Sequence, residues 1–400
     1  MILVFEPTWT GTMHAPGNSA TIQTISRAYS GQPIRVFAES SHLTELQNDP
    51  ALTSRPGITF HPIVLDGQFL HRPHVVSLRR FKRELTTMRA ALRDVPRNEP
   101  CLIMLISATS TSVFAASLLA RIPGRRVAVQ VGLHGNLNNL TGWRPRNPLS
   151  RALDTRSAIT GRHGPGLRFL VLERAIQDEL AQRAPGAAAR TDVLELPVNI
   201  GEIPHVPETK LDRPVRIGFV GQATEAKGIS VFLDAVRALK ARHGAAVEFH
   251  LVGRLMSGSD VSRFAILDSP VSDQHLRRET FQERLAALHF VFLPYQPGYY
   301  NLSASGALLD AITWLKPIIA TRMPIVANMF ERYGDIGYLC NDQTEMMQAV
   351  DQIIESMDAA RYQRQREALR QARETRMPEH LARQYKAILQ DNFSGLFEPR

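Results

Sequence analysis

Short runs of apolar residues alternate with longer amphipathic segments along most of the chain, and this alternation constrains the fold more than any other feature. In the first half the runs are nearly unbroken, at residues 2–5, 34–37, 58–63, 101–106, 127–131 and 169–172. Such runs are typical of parallel strands, which are buried on both faces. Helical patterns lie between most of them, the first over about 18–29. The alternation predicts βαβ units and a parallel sheet.

The alternation is interrupted once and then starts again. Pro197, Pro204, Pro207 and Pro214 fall in a stretch that has neither helical nor strand periodicity, which is typical of a linker. Further strands are predicted at residues 216–220, 247–252, 290–293 and 317–320, and the tail over about 343–392 is helical. We therefore predict an N-terminal α/β domain over 1–197, a Pro-rich hinge over 198–214, a C-terminal α/β domain over 215–375 and a final helical segment over 376–400.

Composition excludes several classes of protein. Among the 400 residues, 44% are hydrophobic and 21% are charged, so the chain is neither disordered nor fibrous. No apolar run approaches the roughly 18 residues of a membrane span, and the N-terminus lacks a signal-peptide pattern. Cys101 and Cys340 lie in no metal-binding spacing and cannot form a disulfide scaffold. We expect a reducing, cytoplasmic setting.

The net charge of +9 lies entirely in the first half of the chain. Residues 1–200 hold 23 basic and 14 acidic groups, whereas residues 201–400 hold 24 of each. A basic amphipathic helix is predicted around 78–93, because apolar residues recur there at helical spacing among many arginines. This helix could attach the protein peripherally to an anionic membrane on its inner face. Alternatively, its apolar stripe packs on the sheet and its arginines are merely solvated.

The first motif with chemical content lies between a predicted strand and a predicted helix. It runs from Gly221 to Gly228 and contains Lys227. A glycine at a strand end lets a ligand approach the backbone, and a helix that begins just afterwards presents N–H groups to an anion. Lys227 would add a point charge suited to phosphate. An ordinary turn with an exposed lysine remains the alternative, since the segment is no P-loop.

The second motif follows Leu293-Pro294-Tyr295. Ser303 is predicted as the N-cap of a helix that runs to about Trp314, and Gly306 keeps the first turn bare of side chains. Amides near Ser305 and Gly306 would face a diphosphate. Asp310 lies one turn further on the same face, where a carboxylate can accept hydrogen bonds from sugar hydroxyls. The alternative is a capped core helix in which Asp310 serves a local hydrogen bond.

The two motifs together, with the following Lys316-Pro317 strand, resemble the donor half of family-4-like glycosyltransferases of the GT-B fold. The resemblance implies two Rossmann-like parallel-sheet domains that face a cleft, with C-terminal helices returning to the first domain. It also implies that Lys227 binds the donor diphosphate and that Asp310 holds the nucleotide ribose. It further implies Gly221 and Tyr300 as residues of the donor site.

Two positions depart from the pattern of that family. The arginine that commonly follows the strand glycine is Gln222 here, and Arg254 is the candidate to replace its charge. The first acid of the family's E-x(7)-E motif, which normally contacts the donor sugar, is Leu302. Ser303 and Ser305 are expected to offer neutral hydrogen bonds in its place.

Two loops of the first half occupy positions that face the cleft in the family. The loop that contains Gly11 and Gly17 follows the first strand, and glycines there would let it pass close to phosphate or acceptor. His134 follows a later strand and is flanked by glycines, at the position where relatives carry a histidine near the reacting sugar. A plain βα loop and a histidine satisfied by local backbone are the alternatives. Glu173, after another strand end, is a further cleft candidate.

These patterns predict a glycosyltransferase that moves a sugar from a nucleotide-diphosphate donor to a saccharide or lipid-linked acceptor, in exopolysaccharide or envelope glycan assembly. Lys227 and the helix start would stabilise the leaving diphosphate. No Asp-x-Asp pair occurs in the chain, so we expect no metal and no other cofactor. Retention of configuration and closure about the hinge are implied by the resemblance. The alternatives are a sugar epimerase or phosphorylase of the same fold, and a basic nucleic-acid-binding protein, although no nucleic-acid partner is expected.

Overall fold

The computed structural model describes residues 1–70, 72, 74–135, 137–140, 144–199, 201, 209–394 and 396. The chain divides into two compact units. The first unit comprises Met1–Glu202, Leu302–Ala304 and Arg376–Arg400, and the second comprises Ile203–Asn301 and Ser305–Thr375. Each unit contains one parallel sheet, which confirms the predicted pair of α/β domains. Much of the predicted hinge, residues 200 and 202–208, lies outside the described residues.

The sheet of the first unit has seven strands in the order β3-β2-β1-β4-β5-β6-β7. All six predicted strands are present, and a short seventh was not predicted. The strand order reverses at β1, so the loops after β1 and β4 flank a topological switch point, where ligands of open α/β sheets bind. The strands are β1 Ile2–Phe5, β2 Ile34–Ala38, β3 Ile58–Pro62, β4 Cys101–Leu105, β5 Val127–Gly132, β6 Leu167–Val171 and β7 Thr191–Val193.

Helices connect these strands. The first begins three residues before its predicted start, because Pro16 fits the first turn of a helix. The predicted basic helix is present as α4, with its apolar stripe of Met88, Ala91 and Leu92 buried. The helices are α1 Ala15–Ala28, α2 Ser40–Gln47, α3 Pro50–Thr53, α4 Leu78–Arg93, α5 Ser110–Leu119, α6 Pro148–Ala152, α7 Thr155–Thr160, α8 Arg174–Arg183 and α9 Pro185–Ala188.

The second unit has a five-stranded parallel sheet in the order β12-β11-β10-β8-β9. Here the order reverses at β8, so its switch point lies between β8 and β10. The strands are β8 Val215–Ala223, β9 Val247–Leu255, β10 Phe290–Leu293, β11 Ile318–Thr321 and β12 Gly337–Cys340. The helices are α10 Ile229–His243, α11 Arg278–Ala287, α12 Gly306–Thr313, α13 Pro324–Tyr333, α14 Gln343–Ser356 and α15 Ala359–Thr375.

The last helix, α16 (Pro378–Asn392), belongs to the first unit, where it packs on α1. A buried ion pair lies just before it: Arg376 donates from Nη1 to Glu173 Oε1 at 2.9 Å and from Nη2 to Oε2 at 3.0 Å. The Arg376 and Glu173 side chains are 1% and 6% exposed. Glu173 therefore anchors the C-terminal segment within this unit, which argues against its predicted role as a free cleft residue. No helix in the described part of the chain is long and apolar enough to cross a membrane.

Candidate functional site

The switch point of the second unit brings the two predicted motifs together. The loop after β8 lies against the loop after β10: Gln296 N donates to Ala226 O at 3.2 Å. Gly228 has a φ of +81°, and a Cβ there would lie 1.8 Å from the carbonyl oxygen of Pro294. Only glycine satisfies both conditions. Gly228 therefore permits the close contact between the two loops that frame this site.

Gly221 and Gln222 belong to the end of β8, which extends three residues beyond its predicted end at Val220. Gly221 pairs with Gly253 of β9, and a Cβ on Gly253 would lie 1.9 Å from Gly221 O. Gln222 pairs with Arg254 in the same register. Arg254 thus pairs with the position at which the family carries its arginine, and its role in binding the diphosphate stays a prediction.

Lys227 extends back over the end of β8. Its Nζ lies 3.0 Å from the place that a Cβ on Gly221 would occupy, a residue whose φ is +101°. Burial lowers the pKa of Lys227, while the nearby carboxylate of Asp310 acts in the opposite direction. The two predicted donor residues therefore interact electrostatically, although they are far apart in sequence. The lysine is held by its loop, since Thr224 Oγ1 accepts from Lys227 N at 3.3 Å.

Helix α12 begins at Gly306, and its N-cap is Ser305. The prediction that Ser303 is the N-cap is wrong, because Ser305 Oγ accepts the capping hydrogen bond from Leu308 N at 3.2 Å. Ser303 lies before the helix, in the segment that clusters with the first unit. A Cβ on Gly306 would meet no atom within 4 Å. The first turn of this eight-residue helix therefore opens onto free space, and its N–H groups can bind an anion.

Tyrosines hold the helix start in place. Tyr295 and Ser305 hydroxyls lie 2.6 Å apart, and the rings of Tyr295 and Tyr300 are 4.5 Å apart between centroids. Both tyrosines are buried, at 2% and 7% exposure, and burial raises the pKa of each. Tyr300, predicted to bind the donor, is therefore placed as a packing residue behind the helix start.

Leu302 replaces an acid of the family pattern and is fully packed. It is 4% exposed and belongs to the hydrophobic core cluster of the first unit, with Ala304 packed against it. A carboxylate at this position would have to be desolvated in an apolar core. The substitution is therefore consistent with its surroundings, and the loss of the acid is a genuine change in the site.

The switch point of the first unit contains a buried carboxylate, Glu6, that belongs to none of the motifs predicted from the sequence. Glu6 directly follows β1 and is 1% exposed. Its Oε1 accepts from Thr8 N at 2.9 Å and Trp9 N at 3.2 Å, and its Oε2 accepts from Asn18 Nδ2 at 3.0 Å. Burial raises the pKa of Glu6 to about 7, although its hydrogen bonds, of which that with Ser107 has the largest effect, act to lower the pKa. The sequence feature that could have identified Glu6 is an acidic residue directly after a buried strand.

The hydrogen bonds continue from Glu6 to the glycine loop. Asn18 Nδ2 lies 3.0 Å from His42 Nε2, and His42 Nδ1 lies 2.8 Å from Gly11 O. Gly11 N in turn donates to Ser41 Oγ at 2.9 Å. The N–H and the carbonyl oxygen of Gly11 are therefore both bound by side chains from the first turn of α2, which fixes the shape of the loop. Gly17 lies in the first turn of α1, where a Cβ would make an ordinary contact with Leu196.

The same loop places one histidine against another. The ring of His14, which has a φ of 59°, lies 4.3 Å from that of Trp9 and 4.5 Å from that of His134. Trp9 Nε1 donates to Ser107 Oγ at 3.1 Å, which ties the stack to the end of β4. Burial lowers the pKa of His134 to about 4, so its imidazole is neutral at pH 7. His134 and the glycine loop thus share one edge of the sheet.

No group of three or more His, Cys, Asp or Glu side chains that could hold a metal ion occurs among the residues that the structure describes. Lys227, which lies beside Gly221 and interacts with Asp310, and the N–H groups of the first turn of α12 supply positive charge in this region. Together they can bind a dianion, with the Asp310 carboxylate available for hydroxyl groups.

Comparison with known proteins yields one family and several structural relatives. Residues 214–356 match the model of glycosyl transferases group 1. No curated protein matches the sequence. Among solved structures, Anabaena Alr3699/HepE in complex with UDP has a TM-score of 0.65 at 15% identity, covering 98% of this chain and 99% of that chain.

Two further relatives have the same fold. A glycosyltransferase from Rickettsia africae has a TM-score of 0.65 at 13% identity, and 98% of each chain is covered. The E. coli trehalose-6-phosphate protein bound with UDP-2-fluoro glucose has a TM-score of 0.63 at 13% identity, with 100% of each chain covered. The family match and the shared architecture confirm the resemblance to GT-B glycosyltransferases.

Proposed function

We propose that the protein is a glycosyltransferase of the GT-B type that uses a nucleotide-diphosphate sugar as its donor, and the match of residues 214–356 to the glycosyl transferases group 1 model supports this. The observation that carries the proposal is the position of Lys227, whose Nζ lies over Gly221 and interacts with Asp310 at the β8–β10 switch point. An ammonium, a helix start that opens onto free space and a carboxylate match the phosphates and the ribose of such a donor. The Anabaena protein was solved with UDP and with UDP-glucose, and the E. coli protein with UDP-2-fluoro glucose, so a UDP-sugar is the first donor to test.

The chemistry follows from the charge that develops during transfer. When the bond between the anomeric carbon and the diphosphate oxygen breaks, negative charge grows on the leaving diphosphate and positive charge on the sugar ring. Lys227 and the first amides of α12 stabilise the leaving group electrostatically. In the retaining course that we propose, the acceptor hydroxyl attacks from the face that the diphosphate leaves. An oxygen of that diphosphate takes the hydroxyl proton, so the products are the glycoside and the protonated nucleoside diphosphate.

The remaining assignments are also proposals. The acceptor is a saccharide or a lipid-linked molecule, the setting is exopolysaccharide or envelope glycan assembly, and no metal ion takes part. His134 acts in transfer as a neutral hydrogen-bonding group, because its low pKa removes its charge at physiological pH. The location is cytoplasmic, with peripheral attachment to the inner face of the membrane through α4.

Binding measurements on two variants test the donor site. Lys227→Ala should weaken both UDP and inorganic pyrophosphate by about 10- to 100-fold, because a charge-assisted contact of roughly 1.5–3 kcal/mol is lost. Asp310→Asn should weaken UDP but leave pyrophosphate nearly unchanged, since its carboxylate is assigned to the ribose. Isothermal titration calorimetry measures both ligands.

Lys210→Ala is the matched control, because Lys210 is an exposed lysine of the same unit and belongs to none of these loops. Unchanged UDP affinity in Lys227→Ala would refute the site assignment. A radiolabelled donor incubated without acceptor separates transfer from epimerisation, since an epimerase would convert the sugar under those conditions.

A further inference from the structure

A groove of about 590 Å³ runs along one edge of the sheet in the second unit. Its lining residues belong to β12, to α14, to the end of α13 and to the start of α15. β12 is the terminal strand in the order of this sheet, and it pairs with β11 alone. The donor motifs follow β8 and β10, and none of their residues lines the groove. The groove therefore has no part in the nucleotide site.

One residue of β12 presents backbone hydrogen-bonding groups that no other strand takes up. Ile336 O and Cys340 O accept from Ile318 N at 3.1 Å and from Arg322 N at 2.6 Å, so the backbone groups at these alternate positions point toward β11. The residues between them point their backbone groups to the other side of the strand. The N–H and the carbonyl group of Leu339 therefore point away from β11, and the described part of the chain supplies no partner to either.

The neighbouring positions on the same edge are already bonded. Gln365 Nε2 donates to Gly337 O at 3.3 Å, and Glu345 Oε2 accepts from Asn341 N at 2.7 Å. Side chains thus close both ends of the edge and leave Leu339 open between them. A strand edge with an unpaired N–H and carbonyl group is a template for another extended segment. In an antiparallel pair, one residue of that segment would exchange two hydrogen bonds with Leu339.

A helix flanks this edge, which is an arrangement that suits the binding of extended peptides by strand addition. Helix α14 contributes the exposed Gln348 and Gln352 and the apolar Ala349. Phe330 and Leu339 add apolar surface, and both are half-buried. Backbone hydrogen bonds would hold such a peptide, and its alternate side chains would lie between β12 and α14.

The segment around the groove is acidic, although the whole chain has a net charge of +9. Residues 331–358 hold seven acidic residues and one basic residue. Glu345 lines the groove, and Glu355 lines a shallow extension of it along α14 that shares two of its lining residues. Hydrogen bonds, led by that of Asn341, lower the pKa of Glu345, so its carboxylate is ionised at neutral pH.

The cation in the groove is already paired. Arg361 Nε lies 3.1 Å from Asp335 Oδ2, and the Arg361 guanidinium lies 4.3 Å from the ring centroid of Tyr338. Arg361 therefore does not offset the charge of Glu345 or Glu355. These two carboxylates favour a basic guest. They disfavour a second copy of this chain, because its own β12 edge would bring the same charges against them.

We propose that this groove binds an extended basic segment of another protein, which adds as a strand to the outer edge of β12. One residue of the segment exchanges two backbone hydrogen bonds with Leu339. Its lysine or arginine side chains lie along α14, near Glu345 and Glu355. The inference concerns a protein partner of the second unit and does not depend on the proposed function.

Calorimetric titration with three synthetic hexapeptides, each acetylated and amidated, tests the chemistry of the partner. A peptide of alternating lysine and valine should bind at least 10-fold more tightly than one of alternating glutamate and valine, which reverses the charge. It should also bind at least 10-fold more tightly than the lysine–valine peptide with every amide N-methylated, which keeps the charge and loses the N–H donors. In hydrogen exchange measured by mass spectrometry, the lysine–valine peptide should slow exchange in residues 337–340 and leave β8 unchanged.

A double variant tests the location. Gln348→Lys/Gln352→Lys should weaken the lysine–valine peptide by at least 10-fold, because it places two cations in the groove. Both side chains are exposed, so folding is expected to survive. Gln363→Lys/Gln371→Lys is the matched control, since it adds the same charge at exposed positions of α15 that do not line the groove. The control should bind the peptide as the unmodified protein does.

Three results would overturn the proposal. The first is equal binding of the lysine–valine and glutamate–valine peptides, and the second is binding that the groove variant leaves unchanged. The third is self-association in sedimentation velocity that the groove variant alters and the control does not, because it would assign the edge to a second copy of the chain. UDP affinity should be the same in both double variants, so failure of the nucleotide site and failure of the groove proposal give different results.

Discussion

Replacing Glu6 by glutamine should remove a large part of the pH dependence of stability in the first unit. Glu6 lies at 1% exposure behind the glycine loop, and burial raises its pKa from 4.5 to about 7. Its carboxylate nevertheless accepts hydrogen bonds from Thr8 N, Trp9 N and Asn18 Nδ2. The folded protein therefore holds a proton on Glu6 at pH values at which the unfolded chain has already released it.

The size and sign of the effect follow from linkage. Because the folded pKa exceeds the unfolded one, the contribution of Glu6 is most favourable below pH 4.5 and is lost as the pH rises to about 7. A difference of about 2.5 pKa units corresponds to about 3.5 kcal/mol in total, at ~1.4 kcal/mol for each unit, and about 3 kcal/mol of it falls between pH 4.5 and 8. The free energy of unfolding of the unmodified protein should therefore fall by about 3 kcal/mol relative to Glu6→Gln between pH 4.5 and 8.

Hydrogen exchange measured by mass spectrometry across a urea series provides the assay, because peptides from β1 and β4 report on the first unit alone. The quantity to follow is the difference in unfolding free energy between the two proteins at each pH. Any pH-independent effect of the glutamine on stability shifts this difference by a constant and does not alter its dependence on pH. Glu39→Gln is the control. Slight burial raises the pKa of Glu39, but hydrogen bonds led by that of Ser41 lower it overall.

The control should show a dependence of opposite sign, because a carboxylate with a lowered folded pKa loses stability as the pH falls. A difference between Glu6→Gln and the unmodified protein that stays constant from pH 4.5 to 8 would refute the reasoning. It would mean that Glu6 keeps an ordinary pKa in spite of its burial.

Three other outcomes are expected. Arg376→Met should destabilise the first unit by about 3–5 kcal/mol, because it leaves the buried Glu173 carboxylate without its bidentate partner; urea unfolding measures this, and a loss below 1 kcal/mol would contradict the buried pair. Turnover of the donor should be unchanged after treatment with EDTA, and dependence on added Mg²⁺ or Mn²⁺ would contradict metal independence. Nuclear magnetic resonance of the first-formed product should show the anomeric configuration of the donor, and an inverted configuration would contradict the retaining course.

Most of the fold was predictable because central parallel strands must be apolar on both faces. Every predicted strand is present, from β1 to β11. The two that were missed, Thr191–Val193 and Gly337–Cys340, are short edge strands. An edge strand is covered less completely and pairs on one side only, so its sequence need not form a continuous apolar run.

The donor site was predictable as a set of motifs, but its details were not. Ser303 and Ser305 are equally good N-caps by residue type, and the choice between them depends on Tyr295, whose hydroxyl lies 2.6 Å from Ser305 Oγ. Leu302 likewise reads as a missing acid in the sequence, whereas in the structure it is a core residue. Which serine caps the helix and whether Leu302 is buried both depend on which surfaces pack together in the folded protein.

Local patterns of apolar residues and glycines were sufficient to specify two parallel sheets and the loops that carry Lys227, Asp310 and His134, because the periodicity of burial and positive φ angles are properties of short segments. The tertiary structure decided which groups lose their water. Glu6 gains a high pKa only when β1, β4 and α1 enclose it, and Lys227 acquires a lowered pKa only when the loops after β8 and β10 come together beside Asp310. Desolvation depends on neighbours distant in sequence, and it is desolvation that turns these ordinary side chains into candidate functional groups.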